Sequence, residues 1–123
     1  MSDILEQYST AWRNSHEALS WAKSMNVDAT GIEEECPVRF LDLPADIQCK
    51  LLDWIEEKII RINSVNNKHT SYGLKHIFSS DSGIYVTNGQ YKGAMIVAGH
   101  IPNNPASLNH VYKISEKSPA LRK

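Results

Sequence analysis

The chain has 123 residues, 41% of them hydrophobic and 22% charged, with a formal net charge of −1. That is enough for one domain, or one domain with a helical extension, whose core needs no disulfide or metal staple. No apolar run of about 18 residues exists, which excludes a membrane-spanning helix, and acids stand where a secretory signal carries bases, so a cytoplasmic location is expected.

Asp3 to Met25 reads as one helix. Ile4, Tyr8, Ala11, Ala18, Ala22 and Met25 form one apolar stripe, and Leu5, Trp12 and Leu19 form a second at spacing seven. This face either packs on the domain or makes the seam of a homodimer. Asn26 to Pro37 reads as a linker in which Asp28, Thr30 and Gly31 precede the acid run Glu33-Glu34-Glu35. Such a run is solvated surface, a cap on a helix N-terminus, or a shield over a basic face.

A second helix is expected from Asp42-Leu-Pro-Ala-Asp to about Asn63, because Ile47, Leu51, Trp54/Ile55, Ile59 and Ile62 recur at helical spacing. Trp54 belongs to its core side, Glu57 and Arg61 make an i,i+4 ion pair, and Cys49 is expected to be a small buried hydrophobe. Ser64 to Lys68 is a polar break. Thr70 or Ser71 caps a third helix to about Ser79, followed by the turn Ser79 to Gly83 and a short β-prone run, Ile84 to Thr87. Asn88 or Thr87 caps a fourth helix, Gly89 to Ala98, in which Gly93 permits close contact and Gly99 supplies the terminating glycine. His110 to Ser115 alternates as a strand able to pair with Ile84–Thr87, and the tail from Glu116 is expected to fray, with Lys117, Arg122 and Lys123 adding positive charge.

The small net charge conceals an asymmetry. Residues 1–57 hold 4 bases against 12 acids (4 − 12 = −8), whereas residues 58–123 hold 9 bases against 2 acids (9 − 2 = +7). Four of the five histidines, His69, His76, His100 and His110, lie in the basic half. Two readings fit: a polyanionic partner for the basic half, or an acidic arm folded onto a basic body.

The element order helix, helix, short strand, helix, loop, strand over residues 43–115 resembles a reduced winged-helix module, in which the helix after the first strand reads DNA. Thr70-Ser-Tyr-Gly-Leu-Lys-His76, Tyr85-Val-Thr-Asn-Gly-Gln-Tyr-Lys-Gly-Ala-Met95 and Ala98-Gly99 resemble small, mostly uncharacterised proteins of phages and mobile elements. The resemblance covers about a third of the chain and brings no settled activity. It implies a setting in which small non-enzymatic proteins regulate genes or block host defences such as CRISPR effectors.

The chemistry is weighed on the same residues. Lys68, His69, Lys75, His76, Asn88, Gln90, Tyr91, Lys92 and Lys113 form the candidate binding face for nucleic acid. Lysines and helix N-termini suit phosphates, and the Asn88 and Gln90 amides suit an adenine edge. Taken singly, Asn88 is better explained as an N-cap and Gln90 as a solvated first-turn residue. His69 and His76 are seven apart and His100 and His110 ten apart, spacings that zinc does not favour, and Cys36 and Cys49 form no CxxC pair. No metal or cofactor is expected. The combination Ser71, His76 and Asp81 has nothing but sequence proximity behind it, and no nucleophile-elbow, P-loop or HExxH motif occurs, so an enzyme is not expected.

The resulting expectation is an α+β protein, helix-rich with a small two- or three-stranded β element. Residues 1–37 would be an N-terminal helix and acidic linker, and residues 38–123 a winged-helix-like domain. It would be a non-enzymatic binding protein acting on nucleic acid through its basic face. The rivals are an inhibitor of a host defence system, anti-CRISPR-like in kind, that binds the effector protein or its nucleic acid, and a dimeric adaptor joined through the first helix.

Overall fold

The computed structural model describes residues 2–122. The fold is α+β: among the described residues six α-helices, α1 (Ser2–Arg13), α2 (His16–Met25), α3 (Ala29–Glu34), α4 (Ala45–Lys58), α5 (Ser71–Ser82) and α6 (Asn88–Val97), accompany one two-stranded antiparallel sheet of β1 (Arg61–Thr70) and β2 (Val111–Ile114). A 3-10 helix, Pro37–Asp42, lies between α3 and α4. Lys123 of the expected basic tail falls outside the described residues.

The expected first helix is two. Ser15 interrupts it, because its hydroxyl accepts from the Ala18 amide and caps α2, the competition with helix hydrogen bonds that serine offers. The break splits the spacing-seven stripe. Leu5 and Trp12 are buried within the chain, while Leu19 is 60% exposed, so these three residues make no continuous seam. The boundary expected at residue 37 runs through packed core. Leu5 joins the main cluster with Phe40, Leu51, Trp54, Phe78, Tyr91 and Met95, and Trp12, Ala18 and Cys36 form a second cluster. The supposed linker holds α3, capped by Asp28 on the amides of Thr30 and Gly31.

α6 is the central helix. Its glycines face the backbone of residues 34–40: a methyl on Gly89 would strike the carbonyl oxygens of Glu34 and Cys36, and one on Gly93 would strike the Pro37 carbonyl oxygen and the Phe40 Cβ. Asn88, Gly89, Tyr91, Lys92, Gly93, Ala94, Met95 and Ile96 are all buried as a result. α6 stands where a winged helix places its reader, and a helix enclosed on this scale has no face to lay in a groove. The packing therefore gives the winged-helix expectation no support.

The second helix stops earlier than expected. α4 ends at Lys58, Ile59 is extended and buried, and Arg61 begins β1, so Glu57 and Arg61 are not neighbours on one helix. Cys49 is exposed and Cys36 is the buried thiol, the reverse of the expectation for Cys49. β2 forms where expected, but its partner is β1 and not Ile84–Thr87, which connects α5 to α6 without pairing. β1 is heavily bulged. The step from Arg61 to Asn66 matches only Ile114 to Tyr112, and the step from Asn66 to Thr70 matches only Tyr112 to Val111. The surplus residues of β1 leave the ladder, and Ile62, Asn63, Ser64, Asn67 and Lys68 are exposed. The tail is anchored: Ser118 Oγ accepts from the Ile60 amide at 2.8 Å, and a second 3-10 helix, Pro119–Leu121, packs against α4 and α5.

The glycine contacts of α6 make a direct prediction. Gly93→Ala and Gly89→Ala meet backbone oxygens that cannot rotate away, so each should destabilise the fold by roughly 3 kcal/mol, the upper part of the usual overpacking range. Urea denaturation would measure this, and a loss well under about 1 kcal/mol would contradict the close approach.

Candidate functional site

Three residues of the expected face meet in one recess. Lys75, His76 and Asn88, together with Trp21, Glu34, Glu35, Tyr72, Tyr85, Thr87, Leu108 and Asn109, line a hollow of about 500 Å³. Thr70 caps α5 by accepting from the Gly73 amide. That cap starts the helix so that Tyr72, Lys75 and His76 share one side at spacings of three and four. Val86 buries itself in the connection after α5 while Tyr85, its neighbour, turns outward. The Lys75 ammonium then sits 5.2 Å from the Tyr72 ring centre and 5.0 Å from that of Tyr85, within cation–π range of both. The His76 ring meets Tyr72 edge-on at 4.5 Å. Burial lowers the Lys75 pKa, and the Glu35 charge partly opposes that shift.

The opposite wall is acidic and amide-rich. The Asn88 amide nitrogen lies 3.0 Å from Glu35 Oε1, 3.1 Å from the Leu108 carbonyl and 3.0 Å from Asn109 Oδ1. Two N–H groups thus serve three acceptors. The amide orientation is determined by this set, since a carboxylate can only accept. Asn88 Oδ1 is buried with no partner among the described residues.

The other expected residues lie elsewhere. Tyr91 is fully buried, its ring edge-on to Trp54. Lys92 is 0% exposed, donates to the Leu108 carbonyl at 2.9 Å and lies 5.2 Å from the Trp12 ring centre. Burial is the main cause that holds its pKa down to about 8, against the opposing charges of Glu35 and Glu17. Gln90 completes a capping box with Thr87, accepting from the Thr87 amide at 2.9 Å. His69 pairs with Glu116 at 2.8 Å, and Asn66 donates to the same carboxylate at 2.7 Å. Lys68 is exposed on the second bulge of β1, and Lys113 lines a separate recess at the other end of the sheet. The nine residues therefore do not form one face, and Tyr91 and Lys92 are corrected to interior residues.

Sequence reasoning missed Tyr72, Tyr85, Trp21 and Glu35 as site residues. Tyr85 left a readable signal, an aromatic ring in the outward register of Ile84-Tyr85-Val86. Glu35 left only the acid run, legible as a possible shield, and Trp21 left none, since their places depend on α2 meeting Leu108 and on the end of α3 meeting the start of α6. Of the acid run, Glu33 does not face solvent freely: Arg13 donates to it at 2.6 and 2.8 Å and lowers its pKa. Burial raises the Cys36 pKa to about 11, which leaves the thiol protonated and unreactive at neutral pH.

Among the described residues no group of three or more His, Cys, Asp or Glu is placed to hold a metal ion, and no described helix is long and apolar enough to cross a membrane. Comparison with protein-family models, curated proteins and solved structures returned no match.

Two histidines predict the acid response. Burial first, then the Lys92 charge, hold His110 down to about 3, and burial followed by Arg61 holds His100 to about 4. In the unfolded chain both take protons near the usual pKa of about 6.5. Below that pH the unfolded state binds more protons, so stability is lost as pH falls from about 6.5 towards the folded values. The urea midpoint should drop through this window, and less steeply in His110→Gln. Equal slopes in the two proteins would count against a neutral buried His110.

Proposed function

We propose that the protein is a non-enzymatic binding protein that holds single-stranded nucleic acid, with its bases received in the recess between α5 and the start of α6. The observation that carries this reading is the pair of exposed tyrosines flanking Lys75. Tyr85 is 72% and Tyr72 52% exposed, with the lysine between them. Exposed rings beside a cation are the elements with which proteins stack unpaired bases. A recess of about 500 Å³ falls in the range of ligand sites.

Each wall takes a role on this reading. Tyr85 and Tyr72 offer stacking faces. Glu34, Glu35 and Asn109 accept from exocyclic base amines, and the buried Asn88 Oδ1 accepts a ring N–H or amine. Lys75, almost fully buried against the two rings, braces them, and the exposed His76 stands on the side where a phosphate would pass. Unpaired bases suit this site better than duplex, because the acidic wall repels a continuous phosphate ridge and α6 is enclosed.

Fluorescence anisotropy with short labelled single strands, at low and at physiological salt, tests this directly. Tyr85→Ala should weaken binding by about 5- to 150-fold, the value of roughly 1–3 kcal/mol for one stacked base, while Tyr85→Phe should bind nearly as the parent does. No binding at low salt, or binding indifferent to Tyr85→Ala and Tyr72→Ala, would refute the proposal.

A further inference from the structure

A second recess opens at the other end of the sheet. Arg61, Ile62, Asn63, Gly99, His100, Ile101, Pro102, Asn103 and Lys113 enclose about 420 Å³ where the first bulge of β1 meets the end of α6. No carboxylate lines it. Arg61 and Lys113 are both exposed, and neither makes an ion pair among the described residues. The adjoining hollow, which shares Arg61 and His100, brings in one acid, Glu56, beside the apolar Leu52, Ile55, Ile59 and Val97.

Arg61 is held in position. Its guanidinium donates to the Gly99 carbonyl at 2.9 Å. Gly99 has φ +94°, and a Cβ there would come within 3.0 Å of the same guanidinium. Glycine thus serves twice, allowing the left-handed turn that ends α6 and leaving space for the arginine. One contact occupies one N–H of a five-donor fork. The other donors, the Lys113 ammonium and the amides of Asn63 and Asn103 belong to the same recess. The end of α6 contributes about half a negative charge here, and the two full cations outweigh it.

We propose that this recess is an oxyanion site that takes a phosphate group, with Arg61 and Lys113 as its two cationic ligands. A planar guanidinium fork and an ammonium lining one recess that no carboxylate lines, with Glu56 confined to the adjoining hollow, is a donor set that phosphate oxygens favour. Exposed Ile62 and Ile101 offer an apolar flank for whatever carries the phosphate. The group belongs either to the backbone of a bound strand or to a free phosphate. The proposal does not depend on base stacking at Tyr72 and Tyr85, because the two recesses share no lining residue.

The test uses inorganic phosphate, titrated into isotopically labelled protein at constant ionic strength with chloride as the balancing anion. Amide resonances of Arg61–Asn63 and Gly99–Asn103 should shift and saturate. Lys113→Gln and Arg61→Gln should each weaken the response roughly tenfold or more, as expected for losing a charge-assisted hydrogen bond. Lys113 is exposed with no ion pair, so its variant keeps the fold even if the Arg61 variant is strained. Shifts that never saturate, or that survive both substitutions, would overturn the site. A short single strand added to the phosphate-saturated protein then separates the sources. Displacement of the phosphate shifts assigns the site to strand backbone, and coexistence assigns it to free phosphate. Saturable phosphate binding in a protein that ignores single strands would uphold this site while refuting the stacking proposal.

Discussion

The approach of α6 to the backbone of residues 34–40 is the constraint from which most of the molecule follows. Two glycines, one turn apart on a single face of the helix, leave no side chain between α6 and the carbonyls of Glu34, Cys36 and Pro37. Helices whose small residues meet a neighbouring backbone can sit unusually close. The closeness draws α3 and the 3-10 helix Pro37–Asp42 over α6, and α1 follows, because the Ser9 hydroxyl accepts from the Val38 amide at 2.9 Å. The acidic half of the chain is thereby folded onto the basic half.

That arrangement resolves the charge asymmetry in an unequal way. Lys92 is enclosed, with Trp12 on one side and a carbonyl as its hydrogen-bond partner, and the Glu35 charge supports it from nearby. A buried ammonium costs several kcal/mol unless compensated, and the lowered pKa of Lys92 reflects that tension. The ion pairs of Arg13 and Arg39 with Glu6, Glu33 and Asp42 stay within the acidic half and take up none of the basic surplus. Arg61 and Lys113, like the other lysines and arginines of the basic half, make no ion pair among the described residues. The basic surplus of the sequence is therefore not a uniform field. Lys92 is enclosed, Arg61 and Lys113 share one recess beside the sheet, and Lys68, Lys117 and Arg122 stand exposed apart from them.

The short sheet shapes what surrounds it. Three pairings along β2 hold ten residues of β1, so the surplus residues bulge outwards and re-aim their side chains. One such bulge walls the Arg61 recess. The connection from His100 to His110 walls both recesses, contributing His100 to Asn103 at one end and Leu108 and Asn109 at the other. It is tied to the sheet by the Asn103 amide on the Val111 carbonyl at 2.9 Å, and the His110 carbonyl accepts from the Ser71 amide at 2.8 Å. A single loop thus links the aromatic hollow to the cationic one.

Local pattern alone was enough for the elements whose signals are local. The caps at Thr70 and Thr87, the stop at Gly99, the core side of α4 and the strand around Val111–Ile114 all stand in the residues themselves, because capping, helical periodicity and alternation act over a few positions. The close contact at Gly93 was legible as a possibility, though not its partner. What only the tertiary structure decided was which charges reach water and which strand pairs with β2. β1 shows no alternation, since bulging removes the period of two, and α4 loses its last expected turn because Ile59 is used as extended core. Lys92 and Tyr91 look like a binding surface in a linear reading, and the α6 glycines put them inside. A sequence states which groups exist and how adjacent ones repeat; exposure depends on what arrives from forty or eighty residues away, and that information is not local.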